Sequence, residues 1–338
     1  MPTPSLSIVL ALYNGQTYLL EQLDSLAAQS RPFDELVLRD DGSTDHTISI
    51  VDQWIQKHPH LPIIRLTKPA GNLGFTANFR TLLENAKGDY ILLCDQDDRW
   101  NPDKLQVLAD AAAKYPQASV IVSSFTFMDQ NGKPFSIVAR KGWSNQNLIG
   151  FPLAHPAGMN QVKLEDILDH NIGQGCTMLV RKDIIQKYLE LDLPLPHDWG
   201  LALLGAMDGG LYYLDQPLME YRIHSENTTG LPQAQETSKL AILQAKISKV
   251  VRPPYRTVSA PFQDKLDVLK ALKLTGYKGW SQQDEAKIAF FETYLQVINE
   301  KSWKKARKLR AMHLPSLLTY KEWILMYSYL LFGKTDHS

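Results

Sequence analysis

Two short acidic clusters hold the side chains best suited to chemistry in this chain. Asp95, Asp97 and Asp98 lie in DQDD, and Asp40, Asp41 and Asp45 lie in DDGSTD. Carboxylates two residues apart can share a hard divalent cation through oxygen ligands while the cation keeps positions open for phosphate oxygens. Asp95 and Asp97 are therefore read as a metal pair, with Mg2+ or Mn2+ as the expected cofactor. Asp98, just ahead of Pro102, competes for a turn or capping role. In DDGSTD, Ser43 and Asp45 fit ordinary turn and N-cap chemistry. Two adjacent acids exceed what capping needs, so Asp41 is assigned to accept the imide N–H of a pyrimidine base. Farther on, HDW (197–199) puts Asp198 at a helix start, where a proton acceptor and a helix cap look alike.

The elements that must position these residues follow from hydrophobic periodicity. Apolar runs and amphipathic stretches alternate at short range, which predicts parallel strands joined by crossover helices. Strands are expected at 6–12, 35–39, 63–66, 90–94 and 120–124, with helices near 18–26, 44–57, 76–85 and 102–115. The second of these helices is expected to be capped by the Ser43 and Thr44 hydroxyls, and Pro102 suits a first helical turn. Such an open, doubly wound half-sheet binds ligands where strands end and loops begin. YNG (13–15), DDGSTD (40–45), GNLG (71–74) and DQDD (95–98) each follow an expected strand, so four polar clusters converge on one edge. Residues 129–170 show no regular pattern over a stretch too long for a simple connector, and read as an elaborated substrate loop. Strands near 176–180, 211–213 and 218–223 and helices near 182–189 and from 198 complete this part. Beyond Gly230 the strong patterns are helical. The expected organisation is one domain over 1–232 in two parts, 1–128 and 129–232, then a helical region over 233–338.

Bulk properties narrow the field. With 338 residues, 44% hydrophobic and 21% charged, the chain can bury the core of one large or two modest domains. Its two cysteines, Cys94 and Cys176, sit in apolar strand-like runs and cannot build a disulfide framework or a zinc cluster, which suits a reducing compartment. The N-terminal apolar run has no basic residues before it and reads as a strand, not a leader. Neither G-x-x-x-x-G-K-[ST] nor G-x-G-x-x-G follows the first strand, which disfavours ATP hydrolysis and dinucleotide binding. G-x-S-x-G and H-E-x-x-H are absent as well, so hydrolase readings fall away. A sugar-phosphate nucleotidyltransferase lacks its basic Gly-rich loop here, and a catalytically inert sugar-binding scaffold does not need the acids that are present.

Three runs together resemble the family 2 glycosyltransferases, especially bacterial rhamnosyltransferase-like members. They are SIVLALYNGQTYLLEQLDSLAAQS (7–30), LRDDGSTDHT (38–47) and NLGFTANFRTLLENAKGDYILLCDQDDRWNPDKL (72–105), and the likeness extends over about 5–230. The resemblance implies an α/β GT-A fold, Rossmann-like in its nucleotide half, with an inverting mechanism and a divalent cation. It implies that Ala11, Tyr13, Asp41 and Asn72 line the nucleobase pocket together with Asp95. It further implies that Asp95 and Asp97 form the metal and diphosphate motif, and that Asp198 is the catalytic base. The stretch YRIHSENTTG (221–230) is similar to a family motif, which implies that Arg222 or His224 reaches the diphosphate or the metal. By itself a lone histidine is more often structural. Many members carry an acid before the base; here that position is His197, which resembles the rhamnosyl-type subgroup and points to a deoxysugar donor. The implied partners are a nucleotide-diphosphate sugar and a glycan or lipid-linked glycan acceptor, with no nucleic acid.

Net charge is zero but unevenly spread. Residues 236–338 hold 18 Lys/Arg and 9 Asp/Glu, a surplus of +9, which leaves 1–235 at −9. KSWKKARKLR (301–310) is basic without an acid, and WILMYSYLLF (323–332) is apolar and aromatic but too short to span a hydrocarbon core of about 30 Å. Together they predict an anchor on an anionic membrane surface at the cytoplasmic face. Packing on the catalytic domain or a homodimer contact is the competing role for the same residues.

Overall fold

The computed structural model describes residues 4–67, 71–136, 154–155, 157–168, 171–225, 255–312 and 314–332. The chain divides into two units, one of 1–192 with 196–232 and one of 233–338 with 193–195.

In the first unit the leading strands are short apolar runs. β1 (Leu6–Leu12) is followed by α1 (Leu19–Ala27), β2 (Glu35–Asp40), α2 (Thr47–Lys57), β3 (Ile63–Leu66), α3 (Phe75–Asn85) and β4 (Tyr90–Cys94). All four strands run parallel, in the order β3-β2-β1-β4. Parallel strands need both faces covered. Leu19, Leu23 and Leu26 of α1 and Val51 and Trp54 of α2 pack with Ile8 and Leu10 on one face, while α3 packs on β1 and β2 from the other.

The chain then continues through β5 (Arg99–Trp100), α4 (Lys104–Lys114), β6 (Val120–Asp129), β7 (Pro134–Phe135) and β8 (Met159–Gln161). It closes with β9 (Met178–Arg181), α5 (Lys182–Glu190), α6 (His197–Met207) and β10 (Leu211–Ile223). Here the sheet departs from a purely parallel one. β6 does not lie beside β4; β9 is inserted between them, antiparallel to both, and the order continues β6-β10-β5. Hydrophobic periodicity marks a strand but carries no direction, so this reversal has no sequence signature. The two strands expected at 211–213 and 218–223 are one, β10, whose register against β6 shifts on both sides of Pro217. An irregularity of this kind keeps a strand continuous while it bends.

Two local expectations also change. Helix α2 starts at Thr47, and its first turn is held by Asp45, whose Oδ1 accepts the Thr47 N–H at 2.9 Å; neither Ser43 nor Thr44 caps it. Cys176 belongs to a 3-10 turn, Gly175–Thr177, that precedes β9.

The second unit is helical, with α7 (Tyr255–Leu274), α8 (Gln282–Glu300), α9 (Trp303–Arg310) and α10 (Tyr320–Phe332). Ser281 and Asp284 form a capping box at the start of α8, and Lys301 ends it in the left-handed region. Its core joins Phe262, Phe290, Tyr294, Met326 and Tyr329.

Candidate active site

The site begins where three neighbouring parallel strands end at one edge. Leu12 pairs with Asp40 and Leu10 with Cys94, so Tyr13 and Asp41 leave the sheet side by side and Asp95 leaves it level with Ala11, two residues earlier. Hydrogen bonds then lock the loops to one another. Gln96 accepts the Tyr13 N–H at 2.9 Å and donates to the Tyr13 carbonyl at 2.8 Å, pairing the DQDD loop with YNG as a strand would. Asn14 takes the left-handed region that Asn tolerates, and its side chain accepts the Thr44 N–H at 2.8 Å. Asp41 is buried against Arg39 at 2.7 Å and accepts the N–H groups of Leu73 and Gly74 at 2.8 and 2.9 Å. Three of its roughly four lone-pair positions are thus filled, and the same bonds hold the GNLG loop over the edge. The Tyr13 ring is 49% exposed, Asn72 is exposed and Ala11 half-buried, so their surfaces remain open beside Asp41.

Below this rim lies the acidic cluster. Asp97 Oδ2 lies 2.8 Å from His224 Nε2, and the Asp97 carbonyl accepts from Arg222 Nε at 2.7 Å. Asp98 is fully buried; its Oδ1 accepts the Arg222 backbone N–H at 3.0 Å, and its Oδ2 has no hydrogen-bond partner. Ligand atoms of Asp95, Asp98 and Cys176 all lie within 4.8 Å of one another. Burial, with the Asp97 charge beside it, pushes the Asp95 carboxyl up to about 7. Asp98 is raised well above the ordinary carboxyl range by burial and then by Asp97 and Asp95. Carboxyls in this state are short of positive charge, and a divalent cation would supply it. Among the described residues the ligand atoms that cluster are those of Asp95, Asp98 and Cys176, while Asp97 is paired with His224; the carboxylate oxygens are the donors that suit Mg2+ or Mn2+.

One cation is already built in behind the cluster. Lys104 is wholly buried, with its Nζ donating to the Cys176 carbonyl at 2.7 Å and lying 3.7 Å from the Trp100 ring centroid. Burial pulls its pKa down to about 8. Arg222 braces the cluster from another side. It is nearly inaccessible, pairs with Glu21 and lies 4.6 Å from the Tyr18 ring centroid, so His224 is the more open of the two residues expected at the diphosphate or metal.

Asp198 arrives from a different element. It is the second residue of α6, half-buried, and its carboxylate accepts the Trp199 N–H at 2.8 Å. The turn Gly175–Thr177 connects it with the acidic cluster: a Cβ at Gly175 would lie 3.8 Å from Asp198 Cβ, while the next residue, Cys176, meets Asp95 and Asp98. The charge of Asp198 contributes to the upward shift of Asp95. His197 is buried between Phe79, stacked at 4.2 Å, and Phe75 at 4.9 Å, with neither ring nitrogen hydrogen-bonded. Burial lowers its pKa, so it stands there as a neutral ring.

The structure thus adds Gln96, Lys104, Gly175 and Cys176 to the residues read from the sequence. Lys104 had a legible signal, since 104, 108, 111 and 112 share one helical face and a lysine heads that otherwise apolar stripe. The others carry none, because amide, glycine and thiol contacts between distant loops leave no periodic trace.

An open α/β sheet whose strand-end loops gather acids at one edge defines a nucleotide-binding class of protein. The sequence model of glycosyl transferase family 2 matches residues 7–189, more than half of the chain, and the chain belongs to that family. The dTDP-rhamnosyl transferase RfbG of Shigella flexneri is 26% identical over 235 residues, which is 65% of this chain and 73% of that protein. Three proteins from Mycobacterium bovis and Mycobacterium tuberculosis are 28% identical over 224 residues, or 65% of this chain; the match spans 59% of their length, about three-fifths. The crystal structure of Staphylococcus aureus TarS 1–349 in complex with UDP-GlcNAc superposes with a TM-score of 0.58 at 15% identity, covering 96% of this chain and 89% of that one. The fold is therefore GT-A, a mixed sheet flanked by helices, with a helical C-terminal region.

Proposed function

We propose that this chain is an inverting, metal-dependent glycosyltransferase of bacterial cell-surface polysaccharide synthesis, moving rhamnose from dTDP-rhamnose to a glycan acceptor. In this reading 1–128 bind the donor, 129–232 bring the acceptor and base, and 233–338 form a helical region that works at the cytoplasmic membrane face. Ala11, Tyr13, Asp41 and Asn72 receive the nucleobase, with Asp95 beside them. Asp95, Asp97 and His224 would hold Mg2+ or Mn2+, which would supply positive charge opposite the departing nucleoside diphosphate. Arg222 supports the diphosphate side by bracing Asp97. Asp198 takes the proton of the acceptor hydroxyl as that oxygen bonds to the anomeric carbon. The bond from that carbon to the diphosphate oxygen breaks, and the oxygen leaves with the electron pair. A β-linked dTDP-L-rhamnose then gives an α-rhamnoside.

The observation that carries this reading is the turn Gly175–Thr177, which holds Asp198 on one side and Asp95 and Asp98 on the other. A turn shared by Asp198 and the acidic cluster supports their acting on one donor and acceptor, and orientation of this kind can supply much of a rate enhancement. The rhamnosyl donor is supported by the likeness to RfbG and by His197 ahead of Asp198. A UDP-hexose is the second reading, because uracil offers Asp41 the same imide N–H as thymine, and inversion of a UDP-α-hexose gives a β-linkage. A thermal-shift and transfer screen with dTDP, UDP and GDP sugars, with Mn2+ and with EDTA, decides between them. Transfer is expected to need the cation and to be abolished in Asp97→Asn while the protein stays folded. Full activity in EDTA would refute the metal-dependent mechanism.

A further inference from the structure

Helix α10 has one face too many for its own core. Met326, Tyr329 and Leu330 are buried in the helical unit. The opposite arc carries Tyr320, Trp323, Ile324, Tyr327 and Leu331, whose spacings of three and four place them within about 100° of one another. Tyr320 is 83% exposed, Leu331 60% and Ile324 39%, while Trp323 and Tyr327 are half-buried on the flank that packs against the unit's own core. Single exposed apolar residues are ordinary, but a contiguous arc of five without a charge marks a contact surface.

The preceding helix extends the same surface. The Trp303 ring of α9 lies 5.8 Å from that of Tyr327 at 15°, and Tyr327 lies 5.8 Å from Trp323 at 22°, so a row of rings crosses both helices. On α9 the side that carries Trp303 recurs at Arg307 and Arg310, one and two turns on, while Ala306 and Leu309 point inward. Lys304 and Lys308 flank that side and are exposed. The acid nearby, Glu300, pairs with Lys305 instead.

We infer that α9 and the outer arc of α10 form an interfacial surface for a bilayer rich in anionic phospholipid. This deepens the proposed function and rests on its reading of a transferase that meets a lipid-linked acceptor. Arg307, Arg310, Lys304 and Lys308 meet headgroup phosphates. The Trp303, Tyr327 and Trp323 rings sit at headgroup level, and Ile324 and Leu331 reach the acyl boundary. Helix α10, at about 20 Å for its length, lies in the plane of the interface; no described helix is long and apolar enough to cross a membrane. A second copy fits this surface less well. A twofold axis through it would set the arginines of one chain near those of the other, and the arc supplies no acid to offset them.

The test sediments the full-length chain with phosphatidylglycerol-containing vesicles and with pure phosphatidylcholine vesicles, at low and at high salt. Binding is expected to the anionic vesicles only and to weaken with salt. The double variant Arg307→Gln, Arg310→Gln should bind about thirtyfold more weakly, from about fivefold per basic residue lost. Ile324→Ser with Leu331→Ser should lose binding even at low salt. All four positions are exposed, and melting curves confirm that the variants fold. Wild-type protein that ignores anionic vesicles, or variants that bind like wild type, overturn the inference. So does a set of variants that turns a dimer into monomers while vesicle binding is unchanged. Donor hydrolysis with Mn2+ in the same samples separates the two readings. Turnover without vesicle binding refutes the surface alone, and vesicle binding without turnover refutes the transferase alone.

Discussion

Replacing Gly175 with alanine puts a methyl group into the contact between the proposed base and the acidic cluster. Its Cβ would stand 3.1 Å from His197 Nε2, 3.5 Å from Leu93 Cδ2 and 3.8 Å from Asp198 Cβ. The first distance is tighter than ordinary van der Waals contact, so something must give by a few tenths of an ångström. His197 has little room to retreat, being 1% exposed and stacked 4.2 Å from Phe79. The displacement therefore passes along the backbone to Asp198, the next residue. Overpacking of this kind costs about 1–3 kcal/mol, and the low end applies because only one contact is short. For a unit of this size that lowers Tm by about 2–4 °C per kcal/mol. A misplacement of about 1 Å can cost about a hundredfold in rate, so a few tenths should lower kcat by roughly two- to tenfold with donor KM unchanged. Steady-state kinetics and calorimetry on Gly175→Ala measure both. His197→Ala supplies the control, since it removes the ring that the new methyl meets. In that background Gly175→Ala should cost almost nothing, a coupling of about 1 kcal/mol. Equal penalties in both backgrounds would show that the His197 contact is not the cause, and an unchanged kcat in Gly175→Ala would remove the turn from the mechanism.

Asp198→Asn tests the base directly. Asparagine caps a helix about as well as aspartate, so stability and donor affinity should survive while turnover falls by roughly a hundredfold or more; near-normal turnover moves the base elsewhere. The raised Asp95 gives a pH test whose sign can be worked out. Its carboxyl sits at about 7 in the folded chain against an ordinary 3.8, so between those values the folded state holds a proton that the unfolded state releases. The metal-free protein should therefore lose stability from this group as pH rises from about 4 to about 7. Metal affinity should rise over the upper part of that range, because the cation competes with the proton. Melting curves from pH 5 to 8 with and without Mn2+ check both trends, and Asp95→Asn should flatten them.

Much of the first unit is legible in the sequence because its strands are short and apolar. Ile63–Leu66 and Tyr90–Cys94 occupy the expected positions, and α3 and α5 begin within a residue or so of theirs. The convergence of Tyr13, Asp41 and Asp95 at one edge follows from strand order alone, since each follows a parallel strand. The antiparallel insertion of β9 is not legible, because the run 176–180 looks the same read in either direction. The strands expected at 211–213 and 218–223 are separated by the polar, proline-containing stretch 214–217, across which an irregular register keeps β10 continuous. Asp45, not Ser43 or Thr44, holds the first turn of α2 because Ser43 is engaged by Asp40 and Asn14. That competition between side chains is invisible to a rule applied one residue at a time.

By itself the sequence determined which residues are ionisable, where most of the leading strands end, and therefore which loops meet. These are local properties, set by side-chain type and by a periodicity of two or 3.6 residues. It also determined the family, through ordered motifs whose spacing no single fold element requires. Only the tertiary structure decided the protonation of the acids, because the shifts of Asp95 and Asp98 come from burial and from charges that packing brings close. It alone placed Lys104 and Cys176 behind the cluster and Gly175 against Asp198. It alone joined Trp303 to Tyr327, turning a basic stretch and an apolar one into a single surface. Each of these depends on residues far apart in the chain meeting at distances of a few ångströms, and no local pattern encodes such a meeting.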